Sequence, residues 1–249
     1  MASHGGKRSK VNPDYVKWGL IVGAAVVIAV FATLIYKRYR PSVNVEAYPV
    51  RGIDVSRHNG HIEWDKVAGA GVKFVYIKAS EGATVSNPLF EEQYDGARSA
   101  GLIVGCYHFF RKNRDGAAQA ENFLNTVGTR TFDMPMVIDI EDNDNAGGVP
   151  DSVVILQLKA MAASLEQHGA KVMFYTNIDG YKAFVKGRLD DYDLWLGTFR
   201  DPDSVRHLGH RIQQYSHWGT VDGIQGDVDL NIFIGSNSDW ERWLDDLKL

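Results

Sequence analysis

The chain has 249 residues, 45% of them hydrophobic, with 27 Lys and Arg against 31 Asp and Glu and a net charge of −4. Outside the flanks of one apolar run no basic stripe appears, which excludes an electrostatic footprint for nucleic acid. The single cysteine, Cys106, excludes an internal disulfide and any Cys-x-x-Cys metal site, and within an apolar stretch it reads as a small buried hydrophobe.

In chain order, residues 1–17 are polar and rich in Gly, Ser and Lys, and read as a disordered tail. Residues 18–36, from Trp18 to Tyr36, carry no charge. As a helix at ~1.5 Å per residue they would extend about 28 Å, close to the hydrocarbon thickness of a bilayer. Trp18 and Tyr36 stand at the two ends, where amphipathic rings favour the headgroup level. The run has no polar face and ends in Tyr36-Lys37-Arg38, with no small-residue cleavage site, so it reads as an uncleaved transmembrane anchor. Lys7, Arg8, Lys10 and Lys17 on one side and Lys37, Arg38 and Arg40 on the other leave its orientation undecided by charge. Residues 37–49 form a linker.

From residue 50 to 249, strand-like and helix-like stretches alternate. Strands are expected over 51–56, 73–79, 102–110, 134–141, 171–176, 193–198, 211–216 and 228–234, and helices over 64–70, 90–100, 115–126 and 152–168. Gly101 and Gly169 close the second and fourth helices. The pattern predicts an α/β fold, an irregular (β/α)8 TIM-like barrel of parallel strands with an N-terminal transmembrane helix.

Barrel chemistry collects where strands end. At the end of the fourth strand, Asp139 and Glu141 alternate onto one face, about 7 Å apart along the chain. Paired carboxylates raise each other's proton affinity, so one can donate a proton while the other stays ionised. Asp54 ends the first strand, Glu81 follows the second, and Asp227 and Asp229 open the last. Tyr107, Tyr175, Trp195 and Tyr215 lie in or at the ends of other strands. Acids ringed by aromatics describe a saccharide cleft, with rings to stack on pyranoses and carboxylates to bind hydroxyls or react. Some of these residues also have plain structural readings: Glu81 as an ion-pair partner of Lys78, Trp195 as barrel core, and His108 as a hydrogen-bonded interior histidine.

Five segments then carry a specific resemblance: Arg51-Gly52-Ile53-Asp54-Val55-Ser56, Tyr76-Ile77-Lys78-Ala79-Ser80-Glu81-Gly82, Gly105-Cys106-Tyr107-His108-Phe109, Asp139-Ile140-Glu141 and Asp227-Val228-Asp229-Leu230-Asn231. In order and spacing they resemble the glycoside hydrolase family 25 muramidases, the Chalaropsis-type lysozymes, over roughly residues 50–235. The resemblance implies hydrolysis of the β-1,4 bond between N-acetylmuramic acid and N-acetylglucosamine. It makes Glu141 the general acid/base, and Asp139, Asp54 and Asp229 the other active-site acids. Tyr107, Tyr175, Trp195, Tyr215 and Glu81 are expected as saccharide contacts. Two departures stand out: Gln213-Gln214-Tyr215 replaces a Trp-Gln-Tyr segment, and Trp195-Leu196-Gly197-Thr198-Phe199 replaces a Trp-x-Ala-x-Tyr-like strand.

The expected partners are peptidoglycan glycan strands and, through residues 18–36, a lipid bilayer, with no nucleic acid, no cofactor and no metal. A peptidoglycan substrate puts residues 1–17 in the cytoplasm and the barrel, 50–249, on the extracytoplasmic side. The group that stabilises the oxocarbenium-like transition state stays open among a carboxylate nucleophile, water attacking with inversion, and the substrate's acetamido group acting with retention, with the last favoured. A tethered, catalytically inactive wall-binding module and a chitinase-like glycosidase are the alternative readings.

Overall fold

A computed structural model describes residues 13–39, 43–44, 46–141 and 148–248. The chain divides into two units, Met1–Arg40 and Pro41–Leu249.

The first unit is one helix, α1 (Pro13–Tyr39). It begins before the apolar run, so Pro13 to Lys17 are helical, in contrast to the expected disordered tail, whose residues 1–12 lie outside the described residues. A proline suits a first turn that needs no N–H, and Asp14 favours the positive end of the helix dipole. Its side chains are described without interruption from Lys17 to Thr33, all exposed, Trp18 at 64% and Phe31 at 65%. Among the described residues no helix is long and apolar enough to cross a membrane. Residues 34–36 of the expected anchor have side chains outside that description.

The second unit is a closed barrel. Its strands are β1 (Arg51–Val55), β2 (Phe74–Glu81), β3 (Val85–Ser86), β4 (Ile103–Phe109), β5 (Met136–Asp139), β6 (Val172–Asn177), β7 (Asp193–Gly197), β8 (Ile212–Gly219) and β9 (Val228–Phe233). Around the barrel the order is β1-β9-β8-β7-β6-β5-β4-β2, and β1 pairs with β2 to close it. The short β3 pairs with the end of β2, beyond the residues that meet β1. Pairings from β1 through β2 and on to β8 are parallel, whereas β9 is antiparallel to both β8 and β1. This corrects the expected all-parallel barrel. No helix separates β8 from β9, and a strand that returns through a hairpin must run the other way.

Helices α2 (Trp64–Gly69), α3 (Phe90–Ser99), α4 (Gly116–Val127) and α5 (Asp151–Gln167) cover the outside of the first half. Later crossovers shrink to α6 (Ile178–Gly180), followed by a π turn over Tyr181–Val185, and α7 (Pro202–Val205). The outward residues of the strands, such as Ile53, Val55, Val75, Ile77, Ile138 and Ile140, form one core with the helices. The inward residues, Phe74, Tyr76, Val137, Met173, Tyr175 and Trp195, fill the barrel. Gly105 is required there, because a Cβ would overlap the Tyr76 ring. The last helix, α8 (Asn237–Leu247), closes the end at which the parallel strands begin, with Trp240 stacked on Phe74 and edge-to-face with Phe233, both at centroid distances of 5.2 Å.

Candidate active site

At the opposite end, strand alternation delivers the acids. Ile53 and Val55 face the helices, which turns Asp54 inward. Ile138 and Ile140 are likewise in the outer core, so Asp139, and Glu141 just past the end of β5, share the inner face. Because β9 runs backwards, its beginning meets the ends of its neighbours, and Asp229 sits directly across from Asp54 in the β1–β9 register. All four line one cleft of about 180 Å³, together with Tyr107, Tyr175 and Trp195. A larger cavity of about 580 Å³ opens at the other end, among Ile103, Met136 and Leu247, and contains none of these four acids.

A hydrogen-bonded network fixes one wall. Trp195 Nε1 donates to Asn231 Oδ1 at 2.9 Å, and Asn231 Nδ2 donates to Asp54 Oδ2 at 2.8 Å. Tyr175 donates its hydroxyl to Gln214 Oε1 at 2.6 Å, and Gln214 Nε2 donates to the same Asp54 oxygen at 3.0 Å. Burial and the facing charge of Asp229 push the Asp54 carboxyl well above its ordinary range, although both amide donors pull it down. The Asp54 carboxyl therefore takes up a proton more readily than an ordinary aspartate, and its Oδ2 is bonded from two sides. His217 Nδ1 lies 2.8 Å from Asp229 Oδ1, and that bond raises the imidazole above its ordinary value despite partial burial. The phenols of Tyr107 and Tyr175 are pushed well above their ordinary value by burial first and by the surrounding acids second, so they remain neutral donors.

Of the expected saccharide contacts, Tyr215 and Glu81 lie outside the cleft and Trp195 lies within its floor. Trp195 lines the cleft but is only 2% exposed, stacked on Tyr76 at 4.7 Å, so it is floor and hydrogen-bond donor and offers no open face to a sugar. Tyr215 is outside the cleft: Gln214 takes the inward position, and Tyr215 packs on the outer side against Tyr48 and Ile232. Glu81 is also outside, ion-paired to Lys78 at 2.7 Å and to Arg111 at 2.5 Å. Burial alone would raise its carboxyl, but these two cations outweigh that and hold it low. Asp227 accepts a backbone contact from Asn59 Nδ2 at 3.5 Å. His108 is buried between Ser80 Oγ at 2.7 Å and Gln119 Oε1 at 3.3 Å, and burial lowers it to about 4. Cys106 is a buried free thiol.

The cleft also contains residues the sequence reading did not assign: Ser56, His58, Lys78, Phe109, Gln214 and His217. Asn231 was within reach of that reading, since it stands two positions after Asp229 on the same strand face. His217 was not, because the β8–β9 register shifts between Gln214 and Gly219 and breaks the simple alternation.

A barrel whose cleft gathers four carboxylates, neutral phenols and amides is that of a carbohydrate-cleaving enzyme. Residues 53–224 match the model of the glycosyl hydrolases family 25, and the chain belongs to that family and is a glycoside hydrolase. It is 32% identical over 222 residues to the uncharacterised Escherichia coli K12 protein YegX, covering 84% of this chain and 80% of that one. It is 33% identical over 187 residues to the autolytic lysozyme of Clostridium acetobutylicum, covering 74% and 56% of the two chains. A family 25 glycosyl hydrolase structure from Bacillus anthracis superposes with a TM-score of 0.74 at 28% identity, over 82% of this chain and 97% of that one. The bacterial lysozyme of Streptomyces coelicolor gives 0.69 at 31% identity, over 80% and 96%.

Proposed function

We propose that the protein is a peptidoglycan muramidase that hydrolyses the β-1,4 bond between N-acetylmuramic acid and N-acetylglucosamine. The observation that carries this reading is the convergence of Asp54, Asp139, Glu141 and Asp229 in one cleft of a family 25 glycosyl hydrolase. The lysozyme names of the Clostridium acetobutylicum and Streptomyces globisporus relatives support the substrate. Glu141 is the general acid/base, donating a proton to the leaving oxygen and later taking one from water. Asp139, on the same face, orients the substrate's 2-acetamido group, whose oxygen attacks the anomeric carbon with retention. Asp54 is poorly suited to be a nucleophile, since burial raises its affinity for a proton and one oxygen accepts two amide N–H groups.

The same reading anchors the enzyme by residues 18–36, with the barrel on the extracytoplasmic side where peptidoglycan lies. The support is a helix whose described side chains from Leu20 to Phe31 are apolar or glycine and exposed, a surface that water disfavours and lipid accepts. The reaction is tested by treating purified cell wall with the full chain in detergent and analysing the muropeptides. New reducing muramic-acid ends are expected from the native protein and none from Glu141→Gln; equal products from both would overturn the assignment of Glu141.

A further inference from the structure

The cleft has an annex of opposite charge. After Ser56 the chain makes a short 3-10 turn, Arg57–Asn59, locked at both ends: Ser56 N donates to Asn59 Oδ1 at 2.9 Å and His58 N to Ser56 Oγ at 3.3 Å. The locked turn presents Arg57 and His58 as exposed side chains at the edge of the cleft. Together with Lys78, Ser80 and Asn87 they line a small recess, which is continuous with the catalytic cleft because His58 and Lys78 line both. The recess measures about 20 Å³, room for a terminal group and far too little for a pyranose ring. Its one carboxylate, Glu81, is already engaged by Lys78 and Arg111, and the Lys78 ammonium is further held over the Phe109 ring at 4.8 Å. Arg57 then adds positive charge beside a site otherwise built from acids.

Resting on the muramidase reading above, we infer that Arg57, His58 and Lys78 receive a carboxylate pendant from the muramic-acid residue next to the scissile bond. The glycan backbone is uncharged, so an anionic group that reaches a cationic recess from a bound strand must hang from the 3-O-lactyl substituent. It is either the lactyl carboxylate itself or a carboxylate of the attached stem peptide. Arg and Lys donors recognise a carboxylate by charge-assisted hydrogen bonds. The recess thus determines specificity, separating peptidoglycan from neutral polymers of N-acetylglucosamine, while the chemistry stays with the acids.

The test compares kcat and KM of the full chain in detergent on three soluble glycan strands. One bears stem peptides, one has been stripped by an amidase to free lactyl groups, and one has been stripped and its carboxylates converted to amides. The native protein should favour at least one carboxylate-bearing strand over the amidated one through KM. Arg57→Gln should cut that preference by about two- to fivefold, as expected for one exposed charged contact. The arm that shows the preference identifies the carboxylate. Equal KM on all three strands, or a preference that neither Arg57→Gln nor His58→Gln alters, would overturn the inference and leave the muramidase reading standing. A native protein that cuts none of the strands would overturn the reading itself.

Discussion

Trp195 Nε1 and Asn231 Oδ1 lie 2.9 Å apart inside the barrel, and this contact turns the Asn231 amide toward Asp54. An indole at the floor of the cleft thereby sets the position of an acid at its wall. Trp195→Phe keeps most of the ring volume and removes the donor. Leaving the buried amide oxygen unpaired costs about 1–3 kcal/mol. The expected result is a fall in kcat of about tenfold and a lowered Tm, read by steady-state hydrolysis and thermal melting. Unchanged kcat would mean that Asn231 is held by something else.

Asp54→Asn keeps the shape and the acceptor oxygen of the carboxyl and removes its charge. The new amide oxygen can accept from Gln214 and Asn231 while its N–H2 faces Asp229. Asp54→Asn should retain at least about ten times the activity of Asp54→Ala, which strands both donors over a cavity. The pH dependence has a defined sign. A carboxyl whose folded pKa is raised favours the native state fully below its unfolded value, about 3.9, and loses that contribution as pH climbs through the folded value. The Asn variant has no such loss, so its Tm should gain on the native protein's as pH rises.

The His217–Asp229 pair responds in a different window. The imidazole is raised above 6.5, so its bond to Asp229 stabilises the fold fully below that pH and the benefit disappears as pH rises through the folded value. The side chains are 46% and 32% exposed, which limits the effect to about 0.5 kcal/mol after screening. His217→Gln should therefore lower Tm at pH 5.5 more than at pH 8.5. A difference of the opposite sign would show that the pair is not an ion pair.

Trp240 seals the end away from the acids, buried against Phe74, Phe233 and Trp243. Trp240→Ala should destabilise by about 3–5 kcal/mol. At a temperature where the variant is still folded, KM should stay within about twofold of the native value, because the substitution lies at the far end of the barrel. A large KM change would show that the closed end and the cleft communicate.

The strand pattern made most of the barrel legible, because inward and outward positions differ in composition: Ile53, Val75 and Ile138 pack under helices, while Asp54, Asp139 and Tyr175 do not. The four acids were legible for the same reason, each standing near a strand end. The direction of β9 was not, since a run such as 228–233 has the same alternation whichever way it enters the sheet. Tyr215 was misplaced because neighbouring Gln214 is the residue turned inward, and nothing in Gln213-Gln214-Tyr215 states which face is inner. Trp195 lines the cleft, and only its 2% exposure and its bond to Asn231, neither written in the sequence, distinguish a floor from a stacking platform. Lys78 carried its signal in the Lys78–Glu81 spacing, which pointed to an ion pair and not to the recess beside it.

The reversed β9 ties the site to the last strand of the chain. Asp54 comes from the first strand of the barrel and Asn231 from the last, 177 residues away in sequence, and they meet only when β9 enters between β8 and β1. Until that strand is made and inserted, Asp54 has neither its facing acid nor one of its two amide donors. A chain still emerging from the ribosome, or one cut before β9, therefore carries Asp139 and Glu141 without the wall opposite them. The completed barrel is its own licence to cut.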